Sequence, residues 1–303
     1  MAVDGKPLSI LQFGKTGQVA RALTHAAAAR SDISIQALGR TEADLQRPDD
    51  IARAIRDAGP IDVVVNAAAY TAVDKAEAEP DIARVVNEDS VAAMAQACRA
   101  RDVPLIHIST DYVFDGTKPS PYVEDDATNP LGVYGRTKLA GENAIRAMWD
   151  RHVILRASWV YSPWGTNFVK TMLRLGAERD ELRVVDDQHG APTSAIDIAE
   201  AILSIAPRIA RSADPSLFGT FHFCDAGETT WRRFAEAIFA DSVGWKDVKA
   251  KVVSITTAEY TTAAQRPQNS RLDCTKIERA HAVVRNPWRQ SLKGVLSEIK
   301  NAV

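Results

Sequence analysis

The sequence predicts an α/β protein built on a doubly wound parallel sheet, with a smaller α/β lobe. In the first half of the chain, short apolar runs alternate with longer amphipathic stretches, which is the pattern of parallel strands joined by helical crossovers. A glycine-rich turn directly follows the first apolar run. The run at residues 104–109 is too apolar to have a face in water, as expected of a parallel sheet that helices cover on both sides.

Four predicted strands and four predicted helices alternate up to residue 148. The strands span residues 8–13, 34–38, 62–68 and 104–109. The helices span residues 17–30, 48–58, 80–101 and 134–148, and the second has Pro48 in its first turn, where the missing N–H of proline is tolerated. The strand-like segment HVILRASWVY, residues 152–161, follows.

Beyond Tyr161 the alternation is looser and predicts a smaller lobe. Helices are expected near residues 166–178, 194–209, 229–241 and 288–300, and short strands near residues 182–186, 219–224 and 251–256. We therefore divide the chain into a dinucleotide-binding domain, residues 1–160, and a substrate lobe, residues 161–303, from which some segments return to the larger sheet. Because no Ser/Gly linker separates them, we expect the two parts to share a broad interface. A cleft at this interface is the natural ligand site.

Composition and charge argue for a cytoplasmic protein without nucleic-acid or membrane partners. The 303 residues include 37 Lys plus Arg and 39 Asp plus Glu, a formal net charge of -2, and no basic stripe. No long uncharged apolar run is present, and Asp4 and Pro7 interrupt the position of a secretory apolar segment. The cysteines have neither metal-ligand spacing nor the pattern of a disulfide framework, and we assign no metal to the histidines. The cysteines are Cys98, Cys224 and Cys274.

The first motif is FGKTGQVA, which follows the first strand and opens the first helix. Glycine at Gly14 and Gly17 lets the backbone turn tightly and approach a pyrophosphate at the positive end of a helix. Gly17, Gln18 and Val19 would lie closest to that group. The strand before the motif and the βαβ setting after it favour a Rossmann-type dinucleotide site over a simple tight turn.

The end of the second strand bears on the choice of cofactor. An acid there would bind the 2'-hydroxyl of the adenosine ribose, whereas an arginine would pair with a 2'-phosphate. Gly39 and Arg40 occupy this position, so NADPH is favoured over NADH, with an ordinary solvated arginine as the alternative. Asp44 and Leu45 are candidates to flank the adenine.

Small residues at the end of the third strand, in NAAAYTAVDKAE, leave room for a ligand against the backbone. We expect Ala69, Tyr70 and Thr71 to contact the cofactor. The same small residues would also suit helix packing alone.

The strongest pattern is STDYVFDGT at the end of the fourth strand, followed by YGRTK. Tyr134 and Lys138 are four residues apart and share one helix face, so the ammonium is expected to lower the tyrosine pKa from its usual value of about 10. Thr110 would hold a substrate carbonyl while Tyr134 protonates it, and Lys138 would also reach the nicotinamide ribose. An isolated Tyr and Lys pair would be a surface feature, but the glycine turn and Thr110 favour catalysis.

With these residues, the sequence resembles the extended short-chain dehydrogenase/reductases, and within them the reductases of nucleotide-linked 4-keto sugars. The resembling motifs run nearly from end to end: FGKTGQV, VNAAAYTAVDKAE, STDYVFDG, YGRTKLAGE, RASWVY, NFVKTML, DQHGAPTS and RPQNSRLD. The resemblance implies NAD(P)H-dependent reduction of dTDP-4-dehydro-L-rhamnose to dTDP-L-rhamnose. This step ends a pathway that feeds bacterial cell-surface polysaccharide.

The resemblance also implies roles for individual residues. Tyr134 is the implied proton donor, Lys138 its partner and cofactor ligand, and Thr110 the hydroxyl that orients the sugar. The implied substrate contacts are Asp111 beside the sugar, Trp159 against the deoxysugar, and Arg266 at the diphosphate. An interior aromatic and a loop arginine are the alternatives for the last two. Gln188, Pro192 and Thr193 are expected to shape the nucleotide pocket.

Departures and rivals complete the sequence-based interpretation. Ala20 replaces the third glycine, and Ala20, Arg21 and Ala22 stand where certain relatives place a magnesium-binding glutamate, so we predict no metal and leave monomer or homodimer open. The rivals are a nucleotide-sugar epimerase or dehydratase and a non-catalytic regulatory subunit of a methionine adenosyltransferase. Dehydratases usually have Thr-Asp-Glu where this chain has Thr110, Asp111 and Tyr112, and retention of the catalytic residues argues against the regulatory subunit.

Overall fold

The computed structural model describes residues 6–302, so Asp4 lies outside the described residues. The strands are β1 (Leu8–Phe13), β2 (Ile33–Leu38), β3 (Val63–Asn66), β4 (Leu105–Thr110), β5 (His152–Ala157), β6 (Val160–Tyr161), β7 (Glu181–Val185), β8 (His189–Gly190), β9 (Thr193–Ser194), β10 (Gly219–His222), β11 (Thr229–Thr230) and β12 (Lys251–Ile255). The helices are α1 (Gln18–Ala28), α2 (Pro48–Asp57), α3 (Val73–Ala76), α4 (Pro80–Arg84), α5 (Ser90–Ala100), α6 (Val133–Met148), α7 (Phe168–Glu178), α8 (Ala195–Ile209), α9 (Trp231–Ser242), α10 (Thr275–His281) and α11 (Trp288–Asn301).

A six-stranded sheet with the order β2-β1-β3-β4-β5-β10 forms the centre of the fold, and every neighbouring pair is parallel. The chain leaves β1 toward β2 and then returns to its other side with β3. At this reversal the connections after β1 and β3 run to opposite sides and leave a crevice beyond the carboxyl ends of the two strands. Open α/β sheets bind ligands in such a crevice. The predicted doubly wound parallel sheet is confirmed.

Helices cover both faces of this sheet, which explains why its inner strands are mostly buried and apolar. Side chains of α1 and α8 form one core with β1, β3 and β5, with Leu23 and Ile202 fully buried. On the opposite face, α2, α5 and α6 pack on β1, β3 and β4 through residues such as Ile55 and Met94. Among the described residues, the inner strands β1, β3, β4 and β5 therefore have no face in water, whereas the edge strand β2 exposes Ser34 and Gln36.

A second apolar core lies in the carboxyl-terminal half. It joins α7, α9 and α11 to the two-stranded parallel ladder of β7 and β12, around buried Phe234 and Leu292. The predicted short strands near residues 182–186 and 251–256 thus pair with each other. β10 instead returns to the six-stranded sheet beside β5. The division of the chain at residue 160 stays a prediction.

Several details differ from the sequence-based expectations. The helix predicted over residues 80–101 is α4 and α5 joined by a π-helical turn at Val85–Asp89. Neither α3 and α10 nor the two shortest strand pairings, β8 with β11 and β6 with β9, were predicted. Cys224 and Cys274, 50 residues apart in the chain, place their buried thiols 3.5 Å apart. Among residues 6–302 there is no helix with the length and apolarity needed to cross a membrane.

Candidate active site

The glycine turn packs directly against the end of β3. Gly14 has a φ of 105°, and a Cβ at this position would lie 3.1 Å from the Ala67 carbonyl oxygen. Ala20 is buried beneath the turn, and α1 begins after Gly17 without a side-chain cap. The first N–H groups of α1 therefore remain available to an anion.

The Gln18 side chain does not face that anion position. Its Oε1 accepts hydrogen bonds from Ser162 Oγ at 2.9 Å and Asn167 Nδ2 at 3.0 Å. Gln18 thus links the start of α1 to the loop before α7, and only its backbone N–H is left for a ligand. Val19 is buried.

At the tip of β2 the structure corrects one expectation. Arg40 is exposed, but an acid does lie at the strand tip, because Glu42 folds back onto it. The Glu42 carboxylate accepts the Gly39 N–H at 2.9 Å and pairs with the Lys15 ammonium of the glycine turn. Hydrogen bonding, above all from Lys15, lowers the pKa of Glu42 to about 2. Because Glu42 lies four residues beyond the last residue of β2, the sequence did not reveal that its carboxylate reaches the strand tip.

The neighbouring candidates for the adenosine and nicotinamide portions line the same edge of the sheet. Asp44 and Leu45 are half-buried in the turn after β2, and Ala69 and Tyr70 are half-buried after β3. Thr71 is exposed. Two contacts on Tyr70 were not foreseen: its backbone N–H donates to Asn87 Oδ1 at 2.9 Å, and its hydroxyl donates to Glu79 Oε2 at 2.7 Å.

Thr110 and Tyr134 meet at the carboxyl end of β4. Thr110 is the last residue of β4 and Tyr134 lies in the first turn of α6, and the two hydroxyls are close enough for the threonine to favour the phenolate. The Tyr134 ring also packs edge-on against Tyr112, with 5.6 Å between ring centroids. Thr110 and Tyr134 thus lie near each other, and the roles expected of them stay predictions.

Lys138 lies one turn further along α6, but it does not lower the pKa of Tyr134. Burial raises the pKa of the Tyr134 phenol to about 12, with Thr110 opposing and Asp111 adding to the rise. The Lys138 ammonium is instead directed at β4, where Nζ lies 2.7 Å from the Ile108 carbonyl oxygen and 3.1 Å from His107 Nε2. The expected lowering of the tyrosine pKa is wrong for this structure, because burial raises the pKa of Tyr134 and the Lys138 amino group contacts β4 instead.

Asp111 is buried beside the two hydroxyls. Its Oδ1 accepts a hydrogen bond from Thr110 Oγ1 at 3.1 Å, whereas its Oδ2 has no partner among the described residues. Burial raises the pKa of Asp111 to about 6, against hydrogen bonds from Ser270 and Thr110. A buried carboxyl oxygen without a partner is suited to a substrate hydroxyl.

Trp159 and Arg266 are the two remaining residues that the sequence predicts to contact the substrate. Trp159 has a φ of 48° and stacks on Trp231 with 3.6 Å between ring centroids, so part of its ring is already covered by an aromatic residue that sequence reasoning missed. The Trp231 indole donates to Gln188 Oε1 at 3.1 Å. Gln188 and Arg266 both line a cavity of about 290 Å³.

Arg266 already has an ion-pair partner. Its guanidinium contacts both carboxylate oxygens of Asp74, at 3.1 and 2.7 Å, and the Ala264 carbonyl oxygen at 3.0 Å. A diphosphate would compete with Asp74, which is 47% exposed, for this guanidinium. Burial raises the pKa of Tyr112, and the nearby positive charge of Arg266 opposes this rise. Because Tyr112 also packs against Tyr134, it lies between Arg266 and the proposed proton donor.

Gly135 allows α6 to come close enough to β4 for this geometry. A Cβ at Gly135 would lie 2.2 Å from the Tyr112 carbonyl oxygen. No side chain fits there, so the helix that carries Tyr134 and Lys138 can approach the end of β4 only with glycine at this position.

A Gly135→Ala variant is therefore expected to lose about 1–3 kcal/mol of stability from overpacking, and most of its activity through displacement of Tyr134. Chemical denaturation and an activity assay would measure both. Gly294→Ala is the matched control, because its new Cβ meets nothing within 4 Å and helix propensity alone favours alanine. Equal stability of the two variants would contradict the packing argument.

The fold and the Thr110, Tyr134 and Lys138 cluster define a Rossmann-type protein of the short-chain dehydrogenase/reductase class. Residues 8–301 match the family described as RmlD substrate binding domain. A dTDP-4-dehydrorhamnose reductase of Sinorhizobium fredii is 50% identical over 282 residues, which cover 92% of this chain and 94% of that protein. One of Escherichia coli is 43% identical over 296 residues, with 96% and 98% covered. The chain belongs to the RmlD family of dTDP-4-dehydrorhamnose reductases.

Solved structures agree with this placement. The crystal structure of a dTDP-4-dehydrorhamnose reductase from Clostridium acetobutylicum superposes with a TM-score of 0.88 at 34% identity, covering 96% of this chain and 99% of that one. The Bacillus anthracis enzyme, in complex with NADP, gives 0.88 at 31% identity with the same coverage. A Thermus thermophilus UDP-glucose 4-epimerase, at 18% identity and a TM-score of 0.77 over 98% of this chain and all of that one, shares the fold.

Proposed function

We propose that this protein reduces the 4-keto group of dTDP-4-dehydro-L-rhamnose to give dTDP-L-rhamnose, with NADPH as the favoured cofactor and NADH as the alternative. The observation that carries the proposal is the placement of Thr110, at the carboxyl end of β4, near Tyr134 in the first turn of α6, with buried Lys138 one turn further along that helix. The long match to reductases of this activity supports a reductase over an epimerase, a dehydratase or a regulatory subunit.

The residues at the carboxyl edge of the sheet fit a dinucleotide. Gly14 approaches Ala67 closely and leaves no side chain at that point of the turn, and Gly17, Gln18 and Val19 offer the first N–H groups of α1 to a pyrophosphate. The Bacillus anthracis relative binds NADP, which supports NADPH. The remaining cofactor-binding residues that we propose are Arg40, Asp44, Leu45, Ala69, Tyr70, Thr71 and Lys138.

When bound, the nicotinamide supplies the hydride. Tyr134 supplies the proton, because its raised pKa keeps the phenol protonated at neutral pH and the proton leaves only as negative charge develops on the substrate oxygen. Thr110 donates a hydrogen bond to the same oxygen and so fixes the carbonyl beside Tyr134. The proton gained by the substrate is replaced at Tyr134 from solvent or from the ammonium form of Lys138.

The substrate-binding residues that we propose surround this centre. Asp111 offers its unpartnered oxygen to a sugar hydroxyl, and the exposed part of the Trp159 ring offers an apolar surface to the deoxysugar. Arg266 would exchange Asp74 for the diphosphate, since a guanidinium binds two phosphate oxygens at once. The cavity lined by Gln188 and Arg266 is suited to part of the nucleotide.

An absorbance assay tests the proposal directly. Purified protein is mixed with dTDP-4-dehydro-L-rhamnose and either NADPH or NADH, and cofactor consumption is followed together with the product. We expect consumption of one cofactor for each dTDP-L-rhamnose formed. Protein that retains stoichiometric NAD and converts nucleotide sugars without consuming added cofactor would instead indicate an epimerase or dehydratase. If the protein converted no nucleotide sugar at all, the proposal that it is an enzyme would be contradicted.

Replacing Glu42 tests the cofactor preference. In a Glu42→Gln variant the carboxylate charge at the β2 tip disappears and Lys15 is released, so we expect affinity for NADPH to rise several-fold while affinity for NADH falls or stays the same. Fluorescence titration of both cofactors measures the ratio. Glu259→Gln is a matched control. Like Glu42, Glu259 is exposed, accepts a backbone N–H and pairs with a basic side chain, here Arg183, but it lies outside this site. An unchanged ratio would show that Glu42 does not affect the 2'-position.

We further propose that the product serves cell-surface polysaccharide such as lipopolysaccharide O antigen, and that the enzyme acts in the cytoplasm as a monomer or homodimer. The sugar chemistry of the relatives supports the first part. No metal is proposed, and within residues 6–302 no group of three or more His, Cys, Asp and Glu side chains is arranged to hold one.

A further inference from the structure

A chain of polar contacts connects three strands and helices behind the proposed active site. His107, in the middle of β4, is fully buried, and its ring lies between Asn66 of β3 and Lys138 of α6. Asn66 Nδ2 is 3.0 Å from His107 Nδ1, and Lys138 Nζ is 3.1 Å from His107 Nε2. None of the roles proposed above uses His107 or the Asn66 side chain.

The backbone fixes the direction of this chain of contacts. The Ala68 N–H donates to Asn66 Oδ1 at 3.1 Å, so the amide must turn its NH2 group toward His107. His107 Nδ1 then accepts a hydrogen bond and cannot carry a proton. A neutral imidazole with an acceptor at Nδ1 carries its proton on Nε2. Burial holds the pKa of His107 well below its usual value, which keeps the ring neutral.

The protonated Nε2 of His107 needs an acceptor, and the atom that faces it is Lys138 Nζ. Only the neutral amine of lysine has a lone pair to accept this hydrogen bond. The amine can still donate to the Ile108 carbonyl oxygen at 2.7 Å, so both of its contacts are satisfied. An ammonium in the same place would direct an N–H of Lys138 at the N–H of His107 Nε2. Buried donors that face each other without an acceptor are costly in free energy.

The other ionisable groups around Lys138 do not reverse this preference. Glu142, one turn along α6, favours the ammonium, but its carboxylate already binds Arg156 of β5 at 2.7 Å and Arg146 at 3.1 Å. His152 of β5 lies near enough to His107 to add to the lowering of the His107 pKa. Burial lowers the pKa of Lys138 to about 8, in the direction that the contacts require.

We infer that Asn66 and His107 are positioning residues that hold Lys138 against β4 and favour its neutral amine over the ammonium in the cofactor-free protein. The inference rests on the proposed function only for its consequence: the lysine of the active site is set to exchange a proton near neutral pH, instead of being a permanent cation. The hydrogen-bond arrangement itself does not depend on which substrate the protein reduces.

Nuclear magnetic resonance of the cofactor-free protein tests the arrangement. Protein labelled with ¹⁵N-histidine is studied by long-range ¹H–¹⁵N correlation between about pH 6.5 and 8.5, and the His107 signals are identified by their loss in a His107→Gln variant. We expect a neutral ring with its proton on Nε2 throughout. A proton on Nδ1, or a cationic ring, would overturn the inference whatever the enzyme assay shows.

An Asn66→Asp variant reverses the contact that sets the tautomer. A carboxylate can only accept, so His107 must move its proton to Nδ1 and offer Nε2 as an acceptor, which favours the Lys138 ammonium. We expect the tautomer to switch and the Lys138 pKa, followed through its labelled Cε, to rise by about 1 or more. A variant that keeps the Nε2 proton would contradict the inference.

Asn87→Asp is the control for the added charge. Asn87 is fully buried and contacts Thr137 of α6 at 3.2 Å, but it has no hydrogen bond to His107. The new carboxylate should raise the Lys138 pKa through its charge alone and leave the His107 proton on Nε2. A tautomer switch in this control would show that charge, and not the Asn66 contact, sets the tautomer. If either variant fails to fold, the measurement on the unsubstituted protein still decides the question.

Discussion

A Tyr134→Phe variant is expected to lose about 10²- to 10⁴-fold in turnover, which is the usual contribution of a positioned general acid. Phenylalanine keeps the edge-on contact with Tyr112, so the fold and the position of α6 should be retained. Cofactor affinity should hardly change, because only the hydroxyl is removed. Turnover of dTDP-4-dehydro-L-rhamnose under saturating NADPH and cofactor binding by fluorescence measure the two effects separately.

Tyr161→Phe provides the matched control for that experiment. Tyr161 is also buried, and its hydroxyl donates only one long hydrogen bond, 3.4 Å, to the Trp288 carbonyl oxygen. Its loss should leave turnover nearly unchanged. If Tyr134→Phe retained normal turnover, or lost no more than Tyr161→Phe, Tyr134 would not be the proton donor.

The largest expected effect on stability comes from the buried ion pair of Glu142 and Arg156. Both side chains are at most 2% exposed, with Arg156 Nη2 2.7 Å from Glu142 Oε2. An Arg156→Met variant leaves a buried carboxylate without its principal partner, which should cost about 3–5 kcal/mol of the free energy of unfolding. Urea denaturation at neutral pH measures the loss. Because Glu142 follows Lys138 on α6, activity should fall as well.

Arg146→Met separates burial from charge in this experiment. Arg146 contacts the same carboxylate oxygen at 3.1 Å, but it is 35% exposed, so its loss should cost about 0–1 kcal/mol. Similar losses in the two variants would contradict the argument from burial.

The pH dependence of the Arg156→Met variant has a definite sign. In the unsubstituted protein burial alone would raise the pKa of Glu142, but hydrogen bonds from Arg156 hold it below the usual value. Without Arg156 the folded-state pKa of Glu142 rises above its unfolded value. The folded state then binds more protons, so the variant's deficit should grow as the pH rises above about 4.3 and shrink as the pH falls toward that value.

Sequence patterns predicted most of the fold because they report on local geometry. Alternating apolar runs gave the order of strands and helices, and β1 matches its predicted residues 8–13 fully. The positions of Thr110, Tyr134 and Lys138 followed from one rule, that the carboxyl ends of parallel strands share an edge of the sheet. Their catalytic roles remain proposals.

Contacts between residues distant in the chain could not be predicted in the same way. Glu42 reaches the tip of β2 only because the turn folds back, and Trp231 stacks on Trp159 from a helix more than seventy residues later in the chain. The two thiols of Cys224 and Cys274 meet although no short spacing connects them. Such pairs depend on how elements pack, which periodicity does not encode.

The sequence by itself determined the architecture, the edge of the sheet that carries the site, and the residue types available there. Only the tertiary structure decided their protonation and their partners, as the raised pKa of Tyr134 and the contact of Lys138 with His107 illustrate. The physical reason is that secondary structure follows from the period of apolar residues along the chain. The pKa of a side chain follows from the water that it loses and the groups that it meets when distant segments pack together.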